Sequence, residues 1–309
     1  MYDRPRKELI NSIPKFSFDE LTIALQKMAN LRCEDEHGLV IEIIKIGSLQ
    51  LQYAILQHSN HCLDEGEVDS DWHITIFKML PKSGNLCEVA NWRPIAILPI
   101  LYKLFARMVY HRISPTRLAH QSHDQFRFTP GIRIEDALMV AECVIAHSVE
   151  FQVPVWLVSL DLRKAFDRVE HRALFEALNR CDLPDCYIAL IEQLYSHQRG
   201  SANGIDAFQI NRGVKQGDVL SSILFNCVLD HAIAKWKLRI GNCGLLVQPV
   251  IERLTNSRYA DDILVYAKSL NEAIFMMETL VEELAKVGLS LNADKTKILR
   301  CLIIRPYCN

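Results

Sequence analysis

The spacing of apolar residues along the 309-residue chain predicts a mixture of helices and strands. Helical spacing, with apolar residues three or four positions apart, occurs in residues 18–45 with a break at Gly38, 100–113, 135–146, 168–179, 188–195, 219–232 and 271–287. Strand-like runs occupy residues 72–80, 95–98, 153–160 and 289–291. We therefore predict an α+β fold whose second half forms an antiparallel sheet with helices packed on one face.

Two further strand-like segments, residues 253–258 and 263–267, flank the motif Tyr259-Ala260-Asp261-Asp262. Their β-branched and apolar residues predict a hairpin with both carboxylates at its tip. Adjacent negative charges repel each other and need a counter-charge, and Mg²⁺ takes oxygen ligands of this kind. A metal-binding hairpin and a solvated turn both fit this local pattern.

The nearly all-apolar residues 153–160 predict a strand buried on both faces that ends at Asp161. A carboxylate at the end of a rigid strand is well placed to bind a metal; an aspartate that caps the next turn is the alternative. If this strand neighbours the hairpin, Asp161 meets Asp261 and Asp262.

Loop and cap signals delimit the later helices. Glycines flank Lys215 and Gln216 just before a helix, which allows close approach of the backbone to a ligand or base pair. The last helix is predicted to have Asn271 as its N-cap and Gly288 just beyond its C-terminus.

Charge is distributed unevenly, although 35 basic and 37 acidic residues give a net charge of −2. Residues 34–71 contain nine acidic residues and one basic, whereas residues 78–117 contain seven basic residues and one acidic. This asymmetry indicates a surface for polyanions, with a merely solvated face as the alternative. On the predicted helix 100–113, Lys103, Arg107 and Tyr110 share one face, which suits a phosphate backbone or plain solvent.

Ten cysteines occur without a Cys-x-x-Cys pair, and the N-terminal residues do not resemble a signal peptide. We therefore expect free thiols in an intracellular protein of the nucleus or cytoplasm, not a secreted one. No run reaches the roughly 18–20 apolar residues of a membrane span, so no membrane partner is expected. His58, His61 and Cys62 cluster, but the lack of a second ligand pair argues against a metal site.

Ordered motifs make the sequence resemble reverse transcriptases of the non-LTR (LINE-type) retrotransposons over residues 18–299. Residues 160–167 (LDLRKAFD), 212–221 (RGVKQGDVLS), 259–262 (YADD) and 288–296 resemble the four palm motifs, and residues 80–84 and 91–95 resemble a fingers motif. The resemblance implies one reverse transcriptase domain in residues 1–309 with a right-hand polymerase fold: fingers at about 18–150, palm at 151–299, no thumb, and a tail at 300–309.

The resemblance also implies an enzyme, an RNA-directed DNA polymerase that adds dNTPs to the 3′-hydroxyl of a DNA primer on an RNA template. Asp161, Asp261 and Asp262 would hold two Mg²⁺ ions, with Mn²⁺ as an alternative. In the same resemblance, Lys82 and Arg93 would bind the triphosphate, Phe166 would exclude a 2′-hydroxyl, and Gln216 and Gly217 would contact the nascent base pair. Lys295 would donate a proton to the leaving pyrophosphate, with a plain surface lysine as the alternative. Lys103 and Arg107 would contact the template.

The sequence departs from the family pattern in several places. Arg127-Phe128-Thr129 stands where Gly-Phe-Arg is usual, Ser222 replaces a proline, and residues 35–38 (DEHG) replace Gly-Pro-Asp-Gly. We find no counterpart of a primer grip, thumb, endonuclease or zinc knuckle, so the alternative is a truncated, inactive remnant that at most binds nucleic acid. An RNA-directed RNA polymerase is disfavoured by Phe166, and a group II intron maturase by the lack of a maturase domain.

Overall fold

The computed structural model describes residues 6–81, 84–88, 91–202, 205–246 and 253–301. Its helices are α1 (Arg6–Asn11), α2 (Phe18–Lys27), α3 (Ile41–Ile46), α4 (Leu49–Glu65), α5 (Ile100–Ala119), α6 (Ile134–Glu150), α7 (Ala165–Arg168), α8 (His171–Asn179), α9 (Asp185–Tyr195), α10 (Val219–Ile240) and α11 (Leu270–Lys286). Its strands are β1 (Ile74–Pro81), β2 (Trp92–Ile97), β3 (Trp156–Asp161), β4 (Arg199–Ala202), β5 (Ile205–Gln209), β6 (Asn256–Tyr259), β7 (Asp262–Ala267) and β8 (Lys297–Arg300). None of the helices within these ranges is long and apolar enough to cross a membrane.

The chain divides into two compact units. The first unit comprises Met1–Ala119 and Phe175–Leu224, and the second comprises His120–Leu174 and Phe225–Asn309. The three boundaries between them fall at the end of α5, inside α8 and inside α10. The assignment of residues 18–150 to fingers and 151–299 to palm stays a prediction.

The first unit contains a sheet in the order β2-β1-β4-β5. β1 pairs antiparallel with β2 and parallel with β4. Beside it, the buried Trp72 ring lies 4.9 Å from the ring centroid of Phe105 in α5, and Phe105 meets Phe16 edge-on at 5.6 Å. These buried aromatic residues pack together in this unit's core.

The second unit contains an antiparallel sheet in the order β6-β7-β3-β8, against which α11 packs at β3 and β7. This layout confirms the predicted α+β class and antiparallel sheet. Val158 and Leu160 of β3 are fully buried, whereas Ser159 between them is exposed. The expectation that the strand is buried on both faces is therefore wrong at its carboxyl end, where one face of the sheet is open.

Two local predictions about the last helix and strand are also wrong. The N-cap of α11 is Ser269, whose hydroxyl accepts a hydrogen bond from the Glu272 N–H, and not Asn271, which lies inside the helix. Residues 289–291 do not form a strand: Leu291 makes only an isolated bridge to Leu162. Leu162 lies just beyond β3, which ends at Asp161, so no strand residues are available there for longer pairing. The regular strand is β8, a few residues later.

Candidate active site

Asp161 and Asp262 lie opposite each other at the end of the second unit's sheet. β3 and β7 are antiparallel neighbours, and their register pairs Asp161 directly with Asp262. Side chains of directly opposed residues project from the same face, with Cβ atoms about 4.5–5.5 Å apart. Asp261 immediately precedes Asp262 in the two-residue loop between β6 and β7. The structure thus brings together the three carboxylates that the sequence indicated.

The loop that carries Asp261 has an unusual backbone conformation. Ala260 has a φ of 60°, in the left-handed region that few residues other than glycine adopt. Two-residue hairpin loops favour positive φ because the resulting turn matches the twist of the strands. The buried N–H of Ala260 donates to the side-chain oxygen of Gln125 at 3.1 Å, and this hydrogen bond fixes the loop.

The carboxylates share a negative environment. Loss of surrounding water raises the pKa of the Asp262 carboxyl, and the negative charges of Asp261 and Asp161 raise it further. The positive charges of Lys295 and Arg127 oppose this rise without cancelling it. The cluster therefore favours a bound cation.

Asn292 and Lys295 hold the carboxylate of Asp161. Lys295 Nζ lies 3.2 Å from Asp161 Oδ1, and Asn292 Nδ2 donates to Asp161 Oδ2 at 3.1 Å. The Asn292 N–H also donates to the Asp161 carbonyl oxygen at 2.8 Å. The predicted Lys295 thus lies at the carboxylates, and Asn292 is a supporting residue that the sequence motif alone did not reveal.

The donor set at this end of the sheet fits a hard divalent cation. Asp161, Asp261 and Asp262 offer only oxygen atoms, which Mg²⁺ prefers over nitrogen and sulfur. Desolvation and, after it, repulsion from Asp261 and Asp161 raise the pKa of Asp262, and a divalent cation would relieve that repulsion. Both observations fit a site at which a cation is bound jointly by Asp161 of β3 and the aspartates of the β6–β7 hairpin.

Phe166 in α7 packs on a second aromatic ring. Its ring lies nearly parallel to that of Phe225 in α10, with centroids 4.8 Å apart and an interplanar angle of 16°. Phe225 is fully buried, whereas Phe166 is partly exposed. The stack holds Phe166 in one orientation and leaves part of its ring free for a ligand.

The segment ahead of α6 braces the Asp-Asp hairpin. The Phe126 N–H donates to the Arg258 carbonyl at 2.9 Å, and the Arg258 N–H donates to the Asp124 carbonyl at 2.7 Å. The Arg127 guanidinium lies 5.0 Å from the ring centroid of Tyr259. Arg127 belongs to the stretch that departs from the family pattern, and it nevertheless contacts the hairpin.

A buried charge network anchors β6 behind the hairpin. The side chain of Arg258 is fully buried and pairs with Asp124 and, at 2.8 Å, with Asp230, while Lys237 pairs with Asp124 at 2.8 Å. Burial acts to raise the pKa of Asp124, but the charges of Arg258 and Lys237 hold it well below its usual range. Sequence reasoning missed this network because its members are far apart along the chain.

The other predicted nucleotide-site residues that the structure describes lie in the first unit; Lys82 lies outside the described residues. Arg93 is exposed on β2. The Gln216 carbonyl accepts a hydrogen bond from the Ala96 N–H of the same strand at 3.1 Å. Gly217, with a φ of 111°, would place a Cβ 3.5 Å from the Ala96 carbonyl oxygen. The predicted glycine-bounded loop therefore packs against the strand that carries Arg93.

Lys215 is buried beneath this loop. Its Nζ donates to the Trp72 carbonyl oxygen at 3.1 Å and lies 4.3 Å from the ring centroid of Tyr102. The Tyr102 hydroxyl in turn donates to the buried Asp218 carboxylate at 2.7 Å. Burial lowers the pKa of Lys215 to about 8, although the charge of Asp218 opposes the shift. The sequence indicated the flanking glycines but not this anchor.

Lys103 and Arg107 line a cavity of about 690 Å³ in the first unit, together with Arg32 and Lys78. Both are half-buried on α5, and burial lowers the pKa of each. Four cations around one concave surface with an apolar floor suit a polyanion. The predicted basic face of this helix is thus part of a cavity.

Two other cations of the basic stretch 78–117 have structural contacts. Arg112 forms an ion pair with Glu20 at 2.6 Å and lies over the Phe16 ring at 4.3 Å. Arg117 is fully buried. The prediction that the whole stretch faces a polyanion is therefore wrong for these two residues.

Comparison with known proteins gives consistent results. Residues 80–303 match the family described as reverse transcriptase (RNA-dependent DNA polymerase). The chain is 30% identical over 268 residues to a Pol polyprotein from the retrotransposable element R2 of Popillia japonica, covering 84% of this chain and 36% of that protein. It is 28% identical over 226 residues to the R2DM polyprotein of Drosophila melanogaster, covering 72% of this chain and 20% of that one. The chain thus spans about a third or less of these relatives.

Solved structures agree in fold. A telomerase from Candida tropicalis, determined with a fragment of telomeric RNA, superimposes with a TM-score of 0.56 at 15% identity and covers 75% of this chain and 42% of its own. Reverse transcriptases generally use divalent metal ions, which agrees with the carboxylate cluster. The chain therefore belongs to the reverse transcriptase family, as a domain of the non-LTR retrotransposon type.

Proposed function

We propose that this chain is the RNA-directed DNA polymerase core of a retrotransposon and extends a DNA primer on an RNA template from dNTPs. One observation carries the proposal: Asp161 lies directly opposite Asp262, with Asp261 in the adjoining loop. The same proposal includes an intracellular location, in the nucleus or cytoplasm, where nucleic acid templates and dNTPs occur.

Asp161, Asp261 and Asp262 would hold two Mg²⁺ ions, with Mn²⁺ as an alternative. When bound, such ions lower the pKa of the primer 3′-hydroxyl and stabilise negative charge on the phosphate under attack. The protein's own part is positioning: the Gln125 side chain fixes the loop through Ala260, and Asn292 fixes Asp161. Preorganised ligands of this kind do not have to reorganise during the reaction.

The proposal also assigns residues to the incoming dNTP. Arg93 and Lys82 would pair with its triphosphate, since guanidinium and ammonium groups bind phosphate strongly. Gln216 and Gly217 would lie beside the new base pair, and Phe166 would fill the space of a 2′-hydroxyl. The stack of Phe166 on Phe225 supports this last role because a fixed ring excludes atoms better than a mobile one.

Lys295 would donate a proton to the leaving pyrophosphate. Its ion pair with Asp161 supports a position at the reacting phosphates rather than on a remote surface. The same ammonium group would also offset negative charge at the carboxylates until a cation binds.

Lys103 and Arg107 would contact the template backbone. Their half-buried position in a cavity shared with Arg32 and Lys78 supports this role, because counter-ion release from phosphates favours such clusters. Binding of the template should therefore weaken as salt increases.

The proposal is tested by extension of a DNA primer on an RNA template with dNTPs and Mg²⁺, for the parent chain and Asp261→Asn. Loss of about 3 kcal/mol of transition-state stabilisation would slow the variant by roughly a hundredfold or more. Extension by the parent and little by the variant supports a working polymerase core. Absence of extension by both contradicts it and supports the inactive, nucleic-acid-binding remnant.

A further inference from the structure

Three potential metal ligands meet in the first unit, far along the chain from the aspartate motifs. His58 and Cys62 lie four residues apart on α4 and therefore project from the same side of the helix. Asp69, which precedes the 3₁₀ turn Ser70–His73, completes the group. One ligand atom from each residue lies within 4.8 Å of the other two. The spacing of cysteines and histidines in the sequence gave only two of these three ligands.

The turn that brings Asp69 back to α4 is fixed by packing. Gly66 ends the helix with a φ of 63°, and its N–H reaches the carbonyl oxygens of Cys62 and Leu63. A Cβ at Gly66 would lie 2.8 Å from the Lys7 carbonyl oxygen of α1, so α1 leaves no room for a larger residue. The Glu67 N–H also donates to the Cys62 carbonyl at 3.1 Å. The position of Asp69 thus follows from a helix end held on both sides.

We propose that His58, Cys62 and Asp69 form a zinc-binding site that fastens the end of α4 to the chain leading into β1. Imidazole nitrogen and thiolate sulfur select Zn²⁺ over Mg²⁺, and a carboxylate is a third common ligand. The site is separate from the proposed polymerase carboxylates and does not depend on polymerase activity.

The distances suit zinc with little movement. Ordinary zinc–ligand bonds of about 2.0–2.3 Å in a tetrahedron place neighbouring donors about 3.4–3.6 Å apart. His58 Nε2 and Asp69 Oδ2 are 2.7 Å apart, as hydrogen-bond partners, and would have to separate by about 1 Å or less. The side chains of His58 and Asp69 are 37% and 39% exposed, so water can reach a fourth position.

The metal-free alternative is a His58–Asp69 hydrogen bond beside a neutral thiol. Thiolate is the form of cysteine that binds zinc, so zinc must displace the Cys62 thiol proton when it binds. Binding should therefore release a proton and strengthen as pH rises. The alternative predicts neither effect.

Zinc would act on the core of the first unit through Trp72. The His58 ring meets the buried Trp72 ring edge-on at 6.3 Å, and the Trp72 carbonyl accepts the hydrogen bond from Lys215. A metal that fixes His58 therefore restrains a residue at the centre of the aromatic core. The expected effect of zinc is a more stable chain.

Cobalt substitution tests the ligands. Co²⁺ added to the full chain should produce a thiolate-to-cobalt charge-transfer band that is lost in Cys62→Ser and retained in Cys181→Ser, a matched change at another buried cysteine of the same unit. Competition by Zn²⁺ should remove the band. The proposal is overturned if the parent gives no band, or if the band survives in Cys62→Ser.

Thermal unfolding with and without Zn²⁺ provides a readout that does not require cysteine replacement. The Tm of the parent and of Asp64→Asn should rise with Zn²⁺, whereas the rise should be much smaller in Asp69→Asn, whose amide is a poor zinc ligand. Asp64 is a matched control because its carboxylate pairs with Lys15 and lies outside the cluster. An equal rise in all three chains contradicts the proposal.

Discussion

The ammonium group of Lys215 is held among two aromatic rings, one carboxylate and one carbonyl oxygen. It lies 4.3 Å from the Tyr102 ring centroid and 5.8 Å from that of Tyr195, and its pKa is lowered to about 8. The ordinary lysine pKa of 10.5 applies to the unfolded chain. Between these values the unfolded state binds the proton and the folded state does not, so stability attributable to this residue rises with pH.

Replacement of Lys215 by methionine should remove this pH dependence. Between pH 8 and 10 the free energy of unfolding of the parent should rise relative to Lys215→Met, with a slope approaching about 1.4 kcal/mol per pH unit. Comparison with the variant cancels the titration of groups that do not interact with the charge of Lys215. Denaturant unfolding at several pH values measures the slope. The exposed Lys297→Met is the control, and parallel curves for parent and Lys215→Met would refute the assignment.

Phe166 should determine which sugar the polymerase accepts. Phe166→Ala removes the ring that Phe225 holds in place, so ribonucleotides should enter, and the preference for dNTPs over rNTPs should fall at least tenfold, about 1.4 kcal/mol. The ratio of kcat/KM values measures the preference, with the exposed Phe275→Ala as control. A parent chain that already uses rNTPs as well as dNTPs would contradict this role.

Single residues differ in how readily the sequence indicates their place. Asp161, Asp261 and Asp262 could be predicted because their strands are recognisable and adjacent carboxylates have distinctive chemistry. Gln125 and Phe225 could not, because their contacts join segments far apart in the sequence and neither residue type is unusual where it stands. Supporting residues of a site depend on tertiary packing, which local pattern does not encode.

The β6–β7 hairpin is the element on which the carboxylates depend. Gln125→Ala would leave the buried Ala260 N–H without its hydrogen-bond partner, which costs about 1–3 kcal/mol. We expect lower stability in denaturant unfolding and slower primer extension, since Asp261 would lose its fixed loop. Gln152→Ala, at an exposed glutamine, is the control. A Gln125→Ala chain with the parent's stability and rate would show that the loop needs no such support.

Elements were predictable where their periodicity is strong. The hairpin, α5 and α11 follow from alternation or from apolar stripes. α4 was not predicted. Apolar residues such as Leu49 (63% exposed) and Tyr53 (50% exposed) lie on its solvent side, so its apolar residues do not follow a single helical face. β4 and β5 were missed because they are short and because Gly200 lies within β4, where strands rarely place glycine.

At the scale of the whole molecule, net charge gives no sign of nucleic acid binding, whereas the placement of cations in the first unit does. Of the seven basic residues between 78 and 117, Lys78, Lys103 and Arg107 line one cavity, which Arg32 joins from outside that stretch. Arg112 and Arg117 are held by the fold instead. Sequence alone could locate the basic stretch. It could not distinguish the basic residues that line the cavity from those buried in the core, because burial is decided by tertiary packing.

The cavity should govern the salt dependence of template binding. Lys103→Gln and Arg107→Gln should each weaken RNA binding and lower the slope of log K against log salt concentration by about 0.7–1. Fluorescence anisotropy with a labelled RNA across a salt series measures both effects. Arg180→Gln, at an exposed position outside the cavity, should leave the slope unchanged. Equal slopes for all variants would exclude the cavity as the template site.

We propose that Asp161 and the hairpin aspartates together hold the cations that drive nucleotide addition. The most direct test measures the rate of single-nucleotide addition against Mg²⁺ concentration for the parent, Asp161→Asn and the exposed Asp294→Asn. The parent and Asp294→Asn should show the same saturable dependence on Mg²⁺, and Asp161→Asn should be slower by roughly a hundredfold or more. An Asp161→Asn chain that adds nucleotides at the parent's rate would contradict the claim.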